Sequence, residues 1–163
     1  MKCLCFSDSH GDSYLMRRAL LMHRDTEVVF FLGDGLSDLF SLKYDFPNVA
    51  FFPVRGNCDY QSVFSDIPKT QTVNLMNKKI AITHGDLYGV KGGVGNLLSL
   101  AAKERLDLVL FGHTHTPLEY YYSDGAVYLF NPGSISASYG GRSYGIITLT
   151  ERDILLSHGR LDY

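Results

Sequence analysis

Five short apolar runs each stop on a carboxylate, a carboxamide or an imidazole, and this ordered punctuation constrains the fold more than any other feature of the chain. "KCLCF" (2–6) runs into "SDSH", which carries Asp8 and His10. "EVVFFL" (27–32) runs into "GDGLSD", with Asp34 and Asp38, and "VAFFPV" (49–54) into "RGNCD", with Arg55, Asn57, Cys58 and Asp59. "KKIAIT" is followed by "HGD" (His84, Asp86), and "LDLVLF" (106–111) by "GHTHTP" (His113, His115). Apolar runs of this length bounded by turn residues read as buried strands. Between the first three lie helical patterns. Residues 12–23 place Leu15, Ala19 and Met22 on one face behind a cap at Asp12 or Ser13, and 36–45 read as a shorter helix. Strand–helix–strand alternation implies a parallel sheet with crossovers, and ligand sites in such sheets form beyond the carboxyl ends of the strands. Four of the six histidines fall there.

The second half reads differently. "TQTVNL" and "KKIAIT" flank Met76–Asn77 as a hairpin, and Val94, Leu97, Leu98 and Ala101 recur at helical spacing over 91–104. "LEYYYSDGAVYLF" reads as two strands around Ser123–Asp124–Gly125, and "YGIITLT" with "DILLSHG" as a last antiparallel pair around Glu151–Arg152. Pro53 marks the third strand as an edge. The expectation is one α/β domain over 1–163, with two mixed sheets packed face to face and helices outside. The tyrosines of "EYYY" (119–122) are expected partly buried within the sandwich, with a homo-oligomer contact as the alternative.

Charge and cysteine usage narrow the partners. A net charge of -2 without a Lys/Arg run gives no electrostatic footprint for nucleic acid or an anionic membrane, but does not disfavour a small phosphate-bearing substrate. Three cysteines cannot all pair: Cys3 and Cys5 share one strand face as small hydrophobes, and Cys58 stands alone. That usage suits a reducing compartment, and no leader-like or membrane-spanning run is visible, so a cytoplasmic location is expected.

Carboxylate, carboxamide and imidazole without an obvious thiolate suit divalent ions such as Mn, Fe, Ni or Zn. Six or seven such groups exceed the needs of one tetrahedral ion, so two ions about 3.5–4 Å apart are the economical reading. On extended backbone, residues two apart point the same way with Cα atoms about 6.6 Å apart. His113 and His115 are thus expected to face one site while Thr114 points away, and Asp8 and His10 to repeat this around Ser9.

The ordered set "DSH … GD … GNCD … HGD … GHTH" resembles the calcineurin-like metallophosphoesterases, and is most similar to their small single-domain bacterial and archaeal phosphodiesterase branch, from Asp8 to "NPGS" at 131–134. The resemblance implies a four-layer sandwich and two divalent ions, Mn first, with Ni, Fe, Zn or Mg as alternatives. It implies that Asp8, His10 and His115 hold one ion, that Asp34 bridges, and that Asn57, His84 and His113 complete the other. Asp38 and Asp59 would orient histidines or loops, and Ser134 would be a turn hydroxyl; Arg55 stands close enough in sequence to help bind phosphate, with a surface salt bridge as the alternative. Cys58 stands where larger members carry a histidine that protonates the leaving group, and Asp86 departs from the frequent "HGH". The implied activity is hydrolysis of small phosphodiesters by a metal-bridging hydroxide, with Asp34 and Asn57 catalytic and loops 86–95 and 135–143 setting selectivity. The alternative is a protein-binding scaffold of the same fold with little activity, as in a retromer coat subunit. A metal-dependent nuclease is weaker, since no basic groove is evident.

Overall fold

The computed structural model describes residues 1–162. Its first sheet has the order β10-β9-β1-β2-β3, with β1 Lys2–Phe6, β2 Val28–Phe31, β3 Ala50–Pro53, β9 Ser143–Leu149 and β10 Ile154–Arg160. The second has the order β4-β5-β6-β8-β7, with β4 Thr70–Leu75, β5 Lys78–Thr83, β6 Leu108–Leu110, β7 Leu118–Tyr122 and β8 Val127–Asn131. Three helices, α1 Ser13–Met22, α2 Leu36–Lys43 and α3 Gly95–Glu104, complete the expected α/β architecture. In each sheet three neighbouring strands run parallel, β1-β2-β3 and β5-β6-β8, and the antiparallel strands take the flanks. Pro53 does lie on an edge strand, where its missing N–H costs no ladder bond.

The four layers follow from the two-residue period of the strands. On β1 and β2, Leu4, Phe6, Val29 and Phe31 face α1 and α2, meeting Leu15, Met16, Ala19, Leu36 and Leu39. The alternate residues Cys3, Cys5, Val28 and Phe30 face the other sheet, meeting Ile80, Ile82, Leu108, Leu110 and Phe130. On the far side, Ala81, Val109, Phe111 and Leu129 meet Leu97 and Ala101 of α3. Burying a Leu, Ile or Phe contributes about 1.5–3 kcal/mol each, so the three apolar layers dominate stability.

Three local expectations are corrected. Met22 is 62% exposed, and Met16 takes the core position, because α1 is rotated to seat Leu15, Met16, Ala19 and Leu20. Neither expected residue caps α1 through its side chain; Asp12 Oδ2 instead accepts the backbone N–H of Ala137 at 3.1 Å. Tyr120 and Tyr121 are exposed rather than enclosed, since β7 is an edge strand. The hairpin over Met76–Asn77 forms as read, with φ of 49° and 59°, the left-handed pair such a turn requires.

Cys3 and Cys5 have no solvent exposure, and burial pushes the Cys3 thiol up to about 12. Thiol titration of the native protein should therefore modify one cysteine, Cys58, and all three only after unfolding in guanidinium. Rapid modification of three native thiols would contradict this packing.

Candidate metal centre

The candidate ligands sit immediately beyond strand ends: Asp8 after β1, Asp34 after β2, Asn57 after β3, His84 after β5, His113 after β6. Backbone bonds lace these ends together. Asp8 N–H donates to Gly33 O at 3.0 Å, Gly112 N–H to His84 O at 2.9 Å, and Ile135 N–H to Ser7 O at 3.1 Å.

The extended-backbone reading of the ligand pairs is corrected here. Asp8, His10, Asp34, His113 and His115 have φ of 55°, 44°, 59°, 67° and 59°, in the left-handed region that residues with a Cβ enter at a cost of about 1–3 kcal/mol. The chain turns at each of them. The intervening side chains do point elsewhere, but because they are drawn off: Thr114 Oγ1 accepts from Asn131 Nδ2 at 3.0 Å, and Ser9 Oγ donates to Asp38 Oδ2 at 2.6 Å.

Two overlapping clusters result. In the first, ligand atoms of Asp8, His10 and His115 lie within 4.8 Å of one another, with Asp8 Oδ1 at 3.2 Å from His115 Nε2 and 3.8 Å from His10 Nε2. In the second, Asp34, His84 and His113 meet the same limit; His84 Nε2 lies 3.3 Å from Asp34 Oδ2 and 3.1 Å from both His113 Nδ1 and Asn57 Oδ1. Asp34 also stands within 4.8 Å of His10 and Cys58, so it lies between the clusters. All seven expected ligands thus converge.

The donor set fits cations. Asp8 is wholly buried, and its Oδ2 accepts from Ser7 Oγ at 2.5 Å and His113 N–H at 3.1 Å. Its Oδ1 and His10 Nε2 are buried without any hydrogen-bond partner. A carboxylate oxygen and an imidazole nitrogen left unpaired side by side carry a desolvation cost that a bound cation would offset. His84 Nδ1 contacts Leu32 O at 2.7 Å, a bond that leaves Nε2 as the ring's ligand atom. Burial works to raise the Asp34 carboxyl, but the hydrogen bond and charge of His84, with the Cys58 N–H, outweigh it and hold it at about 2. Burial likewise disfavours protonated His84, yet Asp34 and Asp8 raise it on balance. Burial, then the charges of His84 and Lys91, lower His113. Burial and the Asp34 hydrogen bond push the Cys58 thiol up to about 11.

Asp38 and Asp59 orient loops, not histidines. Asp59 Oδ1 accepts from Gly35 and Leu36 N–H, each at 2.9 Å, and Oδ2 from Asp34 N–H at 2.7 Å and Gly56 N–H at 3.0 Å. Asp38 Oδ2 adds Gly11 N–H at 2.8 Å to Ser9. The approach of the loops needs glycine: a Cβ on Gly56 would lie 2.1 Å from Asp34 Oδ1, and one on Gly112 1.9 Å from Ser7 Oγ. Ser134 Oγ donates to Asp8 O at 2.8 Å, the expected turn hydroxyl. Asp86 turns to Lys69 Nζ at 3.3 Å, and no hydrogen bond or ion pair joins the Arg55 guanidinium to the cluster. Sequence reasoning passed over Ser7, Asn131 as the brace of the "HTH" turn, and Tyr139. Asn131 opens the "NPGS" turn, and Tyr139 lies in a glycine-, serine- and tyrosine-rich stretch, but neither letter specified the role.

Residues 1–153 match the family model described as the calcineurin-like phosphoesterase superfamily domain. The chain belongs to that superfamily. Among its relatives, the phosphodiesterase YfcE of Escherichia coli (strain K12) is 35% identical over 109 residues, covering 63% of this chain but 53% of YfcE, so the match spans about half of that protein. A Bacillus subtilis (strain 168) protein named as a probable metallophosphoesterase, YsnB, is 31% identical over 158 residues, 91% of this chain and 85% of its own length. Among solved structures, a Streptococcus pneumoniae TIGR4 protein described as a predicted phosphoesterase aligns with a TM-score of 0.79 at 25% identity, over 96% of this chain and 87% of that one. Entamoeba histolytica Vps29 aligns at 0.72 with 19% identity over 99% and 100%, a likeness of fold.

Each Asp59 oxygen takes two N–H donors, so a carboxamide would turn an NH2 toward two of them. D59N should lower the unfolding free energy by about 2 kcal/mol or more in urea titration. The metal-free protein supplies a second check. Asp34, held at about 2 against an ordinary 3.8, contributes stability that is complete above 3.8 and lost as pH falls toward 2. D34N should flatten that part of the stability–pH curve.

Proposed function

We propose that this chain is a phosphoesterase dependent on two divalent ions, acting on small phosphodiesters. The observation that carries the reading is the buried, unpaired pair Asp8 Oδ1 and His10 Nε2, set in a cluster of seven competent ligand side chains within the family fold. In this reading Asp8, His10 and His115 hold one ion, Asn57, His84 and His113 the other, and Asp34 both. Mn is the first candidate and Ni, Fe, Zn or Mg the alternatives, since oxygen and nitrogen donors dominate. When bound, the ions supply a water nucleophile at neutral pH and charge that offsets the negative phosphoryl oxygens.

The chain's own residues do the rest. Asn57 offers Oδ1 toward His84 and keeps its Nδ2, now 3.3 Å from Cys58 Sγ, as a donor for a phosphoryl oxygen. Ser7 and the His113 N–H fix one Asp8 oxygen so that the other keeps a single direction. The thiol at the mouth is a poor proton donor for a departing alkoxide, which favours substrates whose leaving group departs unprotonated. The relatives named as phosphodiesterase agree with that preference. Arg55 retains a supporting place at the phosphate by sequence position only. The three free cysteines suit a reducing compartment, and among the described residues no helix is long and apolar enough to cross a membrane. A scaffold of this fold would have no need to keep seven ligands, five of them on left-handed backbone.

Hydrolysis of chromogenic mono- and diesters after chelation, then with each metal restored, tests the reading. Turnover should vanish with chelator and return most strongly with Mn, faster on diesters. A metal-loaded protein inert on both would overturn it in favour of the scaffold. Calorimetric titration adds an independent readout: D34N should weaken metal binding about 10–100-fold, since a neutral amide bridges two cations poorly.

A further inference from the structure

Tyr139 closes a short turn, Ala137–Tyr139, between β8 and β9. Its ring centroid lies 4.8 Å from that of His10 and 4.7 Å from that of His115, the two imidazoles clustered with Asp8. Yet the residue is 55% exposed, so its ring borders the centre while keeping a surface open to solvent.

The turn is held firmly. Ser136 Oγ accepts from Ser138 N–H at 3.2 Å, Gly140 N–H donates to Ala137 O at 3.1 Å, and Ala137 N–H donates to Asp12 Oδ2 at 3.1 Å. At its base, Ser134 is bonded to Asp8 O. The backbone that carries the ring is therefore tied to the segment that carries Asp8.

A cleft of about 200 Å³ also borders the centre, between His10, Asp34, Cys58, Ser37 and Gln61. The centre is thus flanked by the Tyr139 ring and by this cleft, and a phosphodiester has two organic groups to place. An open π-face beside the phosphorus site suits a planar ring, because stacking on tyrosine is tolerant of ring identity.

Resting on the phosphodiesterase reading above, we propose that Tyr139 is a specificity-determining residue that stacks on an aromatic or heteroaromatic ring carried by one ester group of the substrate. The absence of a basic run in the sequence fits a small diester bearing such a ring, not a polynucleotide.

Two diesters sharing p-nitrophenol as leaving group, one with a phenyl and one with a methyl second ester, isolate the contact. Wild type and Y139F should prefer the phenyl ester, and Y139A and Y139L should lose that preference by on the order of 10-fold, mainly through KM. Survival of the preference in Y139A, or equal loss on both esters, overturns the assignment. Calorimetric binding of phenylphosphonate against methylphosphonate to the metal-loaded protein reads the same contact without turnover. A protein that hydrolyses neither ester overturns the phosphoesterase reading. In that case selective phenylphosphonate binding that Y139A abolishes still supports the stacking role, and equal binding of the two phosphonates defeats it.

Discussion

A carboxylate with no solvent exposure and only one of its oxygens satisfied is the constraint on which the rest of this structure turns. Asp8 Oδ2 is fixed by Ser7 and the His113 amide, while Oδ1 faces His115 and His10 with no donor to meet it. An ionised carboxylate buried in this way costs several kcal/mol unless a positive charge meets it. Asp34, 3% exposed, poses the same demand a few ångströms away and meets it in part through His84. Two buried acids, four buried or half-buried imidazoles and five left-handed positions form an arrangement that a chain selected for stability alone would discard. A bound cation would offset that cost and would link metal binding to folding, because the unfolded chain holds no such site.

The sheets explain how so costly a cluster is assembled without a large protein. Parallel strands point their carboxyl ends the same way, and stacking two such triplets face to face brings the loops of β1, β2 and β3 against those of β5 and β6. Each of the seven side chains lies within five residues of the end of the strand that precedes it. The remaining play in the loops is taken up by two carboxylates that bind backbone and one carboxamide: Asp59 ties the loop after β3 to the start of α2, Asp38 ties the loop after β1 to α2, and Asn131 braces the turn by donating to Gly112 O and Thr114 Oγ1. Acid residues near the centre are thus of two kinds, those that face the ligand cluster and those that hold loops in place.

That division sets how much was legible in the sequence. Apolar runs ending in Asp, Asn or His are visible as letters because strand burial and turn chemistry each restrict residue type, so the seven converging side chains and both sheets could be read. The period of two sorted Cys3 and Cys5 to the inter-sheet face for the same reason. Backbone conformation leaves no such trace: nothing in "HTH" distinguishes an extended pair from two left-handed turns, and the distinction rests on Gly112 and on a partner at Asn131 far along the chain. Met22 was misplaced because Met16 and Met22 are both apolar and only the docking angle of α1 decides between them. The tyrosines of β7 were misplaced because edge position depends on strand order, which the hairpin alone does not specify.

The same physical division separates the centre from its selectivity. The seven clustered positions are held by ladder bonds, glycine contacts and buried carboxylates, so substitutions there disturb the cluster and the stability of its loops together. The 135–143 turn meets the centre through the Tyr139 ring contacts and through Ile135 N–H to Ser7 O, and is anchored at its base by Ser134 and Asp12. Residues there can change the wall presented to an organic group without disturbing Asp8, because Ser134 contacts Asp8 through its main-chain oxygen and not its carboxylate. A fold that fixes its charges on strand ends and its shape on a separately tethered turn can alter what it accepts while keeping what it does.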